Sequence, residues 1–129
     1  NQYPEKLIPK FIHLLKHNKP VTIQGDGSNH RAFLHVTDVC NALQIILSRG
    51  EVGEIYNIGS DKSHEYSVME IANILIELIH PSANKEDWIS YIEDRPFNDK
   101  RYYISNDKLK ALGWTINIEF MDGLMDIIR

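Results

Sequence analysis

Three apolar stripes at helical spacing, separated by strand-like runs that are few and short, set the limits on what this chain can fold into. Leu7, Ile8, Phe11, Leu14 and Leu15 make the first stripe, Val39, Ala42, Leu43, Ile46 and Leu47 the second, and Ile71, Ile74, Leu75, Leu78 and Ile79 the third. The first predicts a helix over residues 5–17, with Pro9 tolerated only in its first turn. Thr37 is the expected N-cap of the second, Asp38 favours its first turn, and Gly50 stops it. Ser67-Val68-Met69-Glu70 is a capping box that opens the third, and Pro81 marks its exit. Residues 21–24, 32–35, 54–58 and 88–93 read as short strands, with turn chemistry at Gly25-Asp26-Gly27. Ser105 caps a brief helix that Gly113 stops, and a last helix starts near Phe120. The expected class is α/β: a small mixed sheet with packed helices, one domain over residues 1–129, docked against something larger.

The chain has 129 residues, 43% hydrophobic and 25% charged, enough for a modest core. A formal net charge of -4 excludes general affinity for nucleic acid or for an acidic membrane. An anion would have to be met by local cations. No apolar run approaches the ~18–20 residues that span a bilayer. The single cysteine, Cys40, cannot form an internal disulfide; it reads as an inert buried thiol and suits a reducing compartment, so a cytoplasmic location is expected. The chain does not begin with Met and ends in a helical run, and so reads as a piece of a longer protein.

The local cations are concentrated. Arg95-Pro96-Phe97-Asn98-Asp99-Lys100-Arg101-Tyr102 carries three cations around a proline that fixes the backbone. Guanidinium forks match phosphate oxygens, so the segment reads as an anion-recognition loop. Pro4-Glu5-Lys6-Leu7-Ile8-Pro9 and Gly25-Asp26-Gly27-Ser28-Asn29-His30-Arg31 point to the same kind of ligand. Glu93, Asp94 and Asp99 are weighed equally as neutralising partners of the arginines and as functional acids.

Reaction chemistry is missing. Gly25-x-Gly27-x-x-His30 lacks the third glycine of a dinucleotide fingerprint, and Arg31 leads into a strand instead of a helix. His13 and His17 have metal-ligand spacing, but no Glu follows His13 and no third ligand is evident. No tyrosine has a lysine four residues later, and there is neither a nucleophile elbow nor a P-loop. The chain carries binding residues and no catalytic set.

Five ordered motifs give a resemblance that covers the whole chain. They are Asn1-Gln2-Tyr3-Pro4-Glu5-Lys6-Leu7-Ile8-Pro9-Lys10-Phe11, Gly25-Asp26-Gly27-Ser28-Asn29-His30-Arg31, Gly53-Glu54-Ile55-Tyr56-Asn57-Ile58-Gly59, Asp94-Arg95-Pro96-Phe97-Asn98-Asp99-Lys100-Arg101-Tyr102 and Lys108-Leu109-Lys110-Ala111-Leu112-Gly113-Trp114. In order, they resemble the C-terminal, substrate-binding part of the nucleotide-sugar 4,6-dehydratases, acting on dTDP-glucose or UDP-glucose, which are extended short-chain dehydrogenases/reductases. The resemblance implies a parent enzyme whose N-terminal Rossmann part holds NAD and the catalytic residues. It oxidises the sugar at C4, removes water across C5 and C6 and returns hydride to C6, giving a 4-keto-6-deoxy sugar of the kind rhamnose synthesis uses. It also implies a homodimeric parent, with no cofactor and no metal on this chain.

Carried over residue by residue, Glu5, Lys6 and the Leu7 backbone match the segment along the sugar and diphosphate. Thr22 and Gln24 match positions beside the base, where Gln24 replaces a common aromatic ring. Arg31 and Arg95 match the two diphosphate arginines, Asn57 faces the nucleotide, and Asn98 stands where some bacterial relatives have histidine. Glu119 replaces a capping Ser, so the last helix should start less firmly. Two other readings remain: the same part of a UDP-glucuronate decarboxylase or epimerase, and a stand-alone nucleotide-sugar-binding module.

Overall fold

The structure, a computed structural model, describes residues 2–96 and 104–129. In chain order the elements are α1 (Leu7–Lys16), β1 (Val21–Gln24), β2 (His30–Ala32), α2 (Val36–Arg49), β3 (Glu65–Ser67), α3 (Val68–Ile79), β4 (Ile89–Ile92), α4 (Asp107–Ala111) and α5 (Phe120–Ile128), with 3-10 turns at Lys62–His64 and Lys85–Trp88. The α/β class expected from the periodicities is present, and its strands divide into two pairs, β1 with β4 and β2 with β3. The chain gathers in two compact units, one within Asn1–Arg31 and Tyr66–Arg101, the other within Ala32–Glu65 and Tyr102–Arg129.

In the first unit, α1 and α3 pack on the β1/β4 pair. Pro9 is the third residue of α1, in the first turn, where no intrahelical donor is lost. Ile8, Phe11, Ile12 and Leu15 of α1, Val21 and Ile23 of β1, and Ile71, Ala72, Leu75 and Ile76 of α3 are buried. Asn18, at φ 57, takes the left-handed turn that reverses the chain into β1. The capping box forms as expected: Ser67 Oγ accepts from Glu70 N at 3.1 Å, and Glu70 Oε2 accepts from Ser67 N at 2.7 Å. His80 stacks on Trp88 with ring centroids 4.0 Å apart, and its Nε2 lies 2.8 Å from the Leu15 carbonyl.

In the second unit, Ala42, Leu109 and Trp114 form the buried centre, with Leu34, Ile45, Ile46, Ile58 and Ile116 around it. Asp38 is fully buried and organises the loop before α5. Its two carboxylate oxygens accept from Asn117 N at 3.1 Å and Ile118 N at 3.0 Å, and its carbonyl accepts from Trp114 Nε1 at 3.0 Å.

Several expectations need correction. Residues 32–35 do not form a strand: β2 ends at Ala32, and His35 is instead the N-cap of α2, its Nδ1 accepting from Thr37 N at 3.2 Å. Thr37 therefore lies inside the helix. Residues 54–58 form no strand among the described residues; the Ile55 carbonyl instead accepts from Lys108 Nζ at 2.9 Å. Asn106 holds the N-cap position of α4 but makes no side-chain capping bond; the capping bond comes from Ser105, whose Oγ accepts from Asp107 N at 3.4 Å, while the Asn106 amide reaches the Gly59 carbonyl at 3.1 Å. Cys40 is exposed, not buried, because it sits on the face of α2 opposite the core. The expectation for α5 holds: Glu119 is its N-cap and makes no side-chain capping bond.

Candidate functional site

The parallel pairing of β1 with β4 decides where the polar residues gather. Gln24 lies opposite Ile92 in register, so both strands end at one edge. Beyond β1 the chain turns through Gly25 and Gly27 toward Arg31; beyond β4 it runs through Glu93 and Asp94 to Arg95. Gly25 N donates to the Ile92 carbonyl at 3.1 Å, and an added Cβ on Gly25 would meet the Asp94 carboxylate at 3.0 Å. The two arginine-bearing segments therefore leave side by side. Ligands of α/β proteins bind outside the carboxyl ends of parallel strands.

The start of α1 reaches the same edge. A four-residue link reverses the chain between α1 and β1. Ten helical residues are ~15 Å long and four strand residues ~13 Å, so the first turn of α1 returns to the level of Gln24. Lys6 is the N-cap and makes no side-chain capping bond, and the first turn holds no acid. The leading N–H groups of the helix and the positive end of its dipole thus follow directly on Lys6, an exposed cation, an arrangement suited to an anion. Glu5 and Lys6 are exposed and Leu7 is half-buried.

Arg31 is half-buried, and its Nη1 donates to the His30 carbonyl at 2.8 Å. Arg95 is exposed, with its backbone N–H held by the Asp94 carboxylate at 2.9 Å. On β1, Val21 and Ile23 point into the core and Thr22 and Gln24 to the opposite face. Thr22 stands in register with Ser90, and its hydroxyl is buried without a hydrogen-bond partner among the described residues. Such an orphan is uncommon. Glu5, Lys6, Leu7, Thr22, Gln24, Arg31 and Arg95 thus share the first unit. Asn57 lies in the second unit, exposed in the stretch 54–58. Asn98 lies outside the described residues. Ser90 was missed by the sequence reading, since only the β1/β4 register gives it a place beside Thr22.

The Gly25–Gly27 turn does not fit a dinucleotide. It leads into β2, as the spacing implies, and its concave side is filled by the chain itself. The Gly27 carbonyl accepts from Met69 N at 3.0 Å, and an added Cβ on Gly27 would meet Ile23 Cγ2 at 2.9 Å. The His13 and His17 rings are 4.2 Å apart, but His17 Nδ1 is engaged by the His13 carbonyl at 2.8 Å. Among the described residues no cluster of three or more His, Cys, Asp or Glu is placed to hold a metal. No helix among them is long and apolar enough to cross a membrane.

Two ion pairs in the second unit carry the clear electrostatic shifts. Lys110 lies 2.8 Å from Asp61 and, chiefly through that hydrogen bond, holds its carboxyl below the usual aspartate range. Lys108 lies 2.7 Å from Glu54, which lowers the Glu54 pKa and raises that of the lysine. Both pairs fasten residues 54–61 to α4 and lie apart from the polar edge in sequence.

Residues 1–59 match the NAD dependent epimerase/dehydratase family. The chain is 44% identical over 132 residues to dTDP-D-glucose 4,6-dehydratase of Bos taurus, an alignment covering all of this chain and 37% of the relative. It is 45% identical over 124 residues to a trifunctional enzyme of Arabidopsis thaliana whose first activity is UDP-glucose 4,6-dehydratase, covering 96% of this chain and 18% of that one. Among solved structures, the dTDP-glucose 4,6-dehydratase of Bacillus anthracis in complex with NAD superposes with a TM-score of 0.86 at 38% identity, over 98% of this chain and 39% of that one. A UDP-glucuronic acid 4-epimerase of Bacillus cereus superposes with a TM-score of 0.83 at 25% identity, over 98% and 40%. The chain spans little more than a third of the bovine relative's length. Over residues 1–59 the chain thus matches the NAD dependent epimerase/dehydratase family, and over its whole length it is similar in sequence and fold to the matching stretch of 4,6-dehydratases.

Proposed function

We propose that this chain is the substrate-binding part of a nucleotide-sugar 4,6-dehydratase and that the edge formed by β1, β4 and the start of α1 grips the substrate diphosphate. The observation that carries the reading is the uncapped, acid-free N-terminus of α1, at the same edge as the segments bearing Arg31 and Arg95. A diphosphate carries two or more negative charges; Lys6, Arg31 and Arg95 offset them through charge-assisted hydrogen bonds, and the leading helix N–H groups add fixed dipoles. Thr22 and Gln24 lie beside the base. Asn57 and Asn98 complete the nucleotide contacts in the assembled parent. NAD and the groups that move protons and hydride belong to the rest of the parent, a homodimer in this reading, since the glycine turn here does not fit a pyrophosphate.

The epimerase reading rests on the same fold, but its representative is 25% identical where the bovine dehydratase is 44%. The test is a full-length chimera in which this chain replaces the matching 132 residues of the bovine dehydratase. Arg31→Ala and Arg95→Ala should each reduce kcat/KM for dTDP-glucose by about 2–5 kcal/mol in transition-state binding, roughly 30-fold or more, mainly through KM. Unchanged kinetics in both variants would remove the diphosphate assignment. A chimera that epimerises UDP-glucuronic acid and forms no keto sugar would favour the second reading.

A further inference from the structure

One run of the chain carries charge of a single sign. Residues 6–25 hold four lysines and two histidines and no acid, although the whole chain has 18 acids and a formal net charge of -4. The run covers α1, its link to β1 and β1 itself. Elsewhere lysines and acids interleave, as in the pairs Lys85–Glu77, Lys108–Glu54 and Lys110–Asp61. Charge of alternating sign is the common pattern of a solvated helix face, and α1 departs from it.

The helix period gathers these cations. At 100° per residue Ile8, Phe11, Ile12 and Leu15 fall within about 100° of arc, and all four are buried. Lys6, Lys10, His13 and His17 follow one another at spacings of four, three and four, within about 60° of arc on the opposite side. Lys10 is half-buried and the other three are exposed. Lys16 flanks this line and Lys19 lies in the link that follows, both exposed. The two imidazoles carry no negative charge in either protonation state, so the stripe keeps one sign over its length of about 16 Å. Helix α3, which packs on α1, brings two acids, and both are engaged. Glu70 Oε2 accepts from Ser67 N at 2.7 Å, and Glu77 lies 3.6 Å from Lys85 Nζ. The exposed Glu5 adjoins the stripe in sequence.

The stripe starts at Lys6 and the uncapped first turn of α1, where the proposed diphosphate edge lies. Charge of one sign leading into a binding edge raises the local concentration of a counter-charged ligand by about tenfold or more. Its range is the Debye length, about 30 Å at 10 mM ionic strength and about 8 Å at 150 mM. The whole stripe lies within the first range, and little more than its first turn within the second. We propose that the outer face of α1 is an attracting surface for the nucleoside diphosphate, in which Lys10, Lys16 and Lys19 act at a distance to draw the anion to the edge and strengthen its binding at low ionic strength. The inference rests on the proposed function for the identity of the ligand.

The test is the initial slope of amide chemical-shift change in this chain against UDP, and against uridine, which has the same base and sugar without phosphate. Well below saturation, up to about 0.5 mM ligand, that slope is inversely proportional to Kd. At about 10 mM ionic strength the charge reversal K10E/K16E/K19E should lower the UDP slope about tenfold. At about 0.5 M salt the lowering should be no more than about twofold, and the uridine slope should be unchanged at both. K10Q/K16Q/K19Q removes half as much charge and should lower the low-salt UDP slope about threefold; it carries the test if the reversal does not fold. An unchanged UDP slope at low salt would overturn the proposal. So would an equal loss for uridine, or a loss that persists undiminished in high salt, since contact and not long-range charge would then be responsible. UDP shifts at Leu7, Ile8, Arg31 and Arg95 that ignore the lysine variants contradict this inference alone. A salt-dependent loss with shifts confined to α1 beyond its first turn keeps the stripe as an anion-attracting surface and contradicts the diphosphate edge. No shift with UDP at low salt contradicts both.

Discussion

Asp38 shows how one side chain can hold a unit together. It is fully buried, with each carboxylate oxygen accepting one backbone N–H of the loop before α5. Asp38→Ala leaves those two N–H groups buried and unpaired. We expect a loss of about 3 kcal/mol, because hydrogen bonds to charged groups contribute more than neutral ones, read as a lower denaturant midpoint followed by the fluorescence of buried Trp114. From sequence alone Asp38 reads as a helix-opening acid; its partners lie 79 and 80 residues away and no local rule reaches them. Gly27 is the opposite case. Its φ of 72 and the 2.9 Å approach of Ile23 Cγ2 both forbid a side chain, and the turn chemistry of Gly25-Asp26-Gly27 was readable in three residues. Gly27→Ala should cost about 1–3 kcal/mol by thermal or chemical denaturation.

Among elements, legibility follows the distance over which each one is specified. The α3 start was readable because its capping box closes within four residues. Ser67→Ala should cost about 1 kcal/mol in chemical denaturation. The strands were less readable: β2 ends where residues 32–35 looked extended, and 54–58 has the pattern of a strand but forms none among the described residues. The pairing of α4 with residues 54–61 yields a pH dependence. The Asp61 pKa is depressed in the folded chain, chiefly by Lys110. Its contribution is therefore fully present above the unfolded aspartate pKa of about 4 and is lost as pH falls through the lower folded value. Asp61 and Lys110 have side chains 38% and 42% exposed, so solvent screening keeps the pair below about 1 kcal/mol. Lys110→Ala should accordingly lie slightly below the parent chain in stability at pH 7, and the gap should close below about pH 4. A gap that persists or widens in acid would show that Lys110 acts through something other than the Asp61 carboxylate.

For the molecule as a whole, the residues suited to an anion are legible in the sequence, because arginines, lysine and glycine turns are local signals. What it did not contain was the edge that gathers them, which depends on β1 meeting β4 65 or more residues later in the chain. Asn57 belongs to the other unit and Asn98 lies outside the described residues, so their part rests on the resemblance alone. In the proposed function, half of the cleft belongs to the rest of the parent. The isolated chain is therefore expected to form no keto sugar from dTDP-glucose or UDP-glucose with NAD added, and measurable product would contradict that expectation. Its remaining half-site should still bind nucleoside diphosphates weakly, with Kd above about 1 mM.

An amide-resolved nuclear magnetic resonance titration of this chain with UDP and dTDP tests the central claim most directly. The account predicts that the signals of Leu7, Ile8, Arg31 and Arg95 move together along one binding curve, and that Arg31→Ala flattens it. Movement confined to other segments, or no movement at those four positions up to tens of millimolar, would contradict the account.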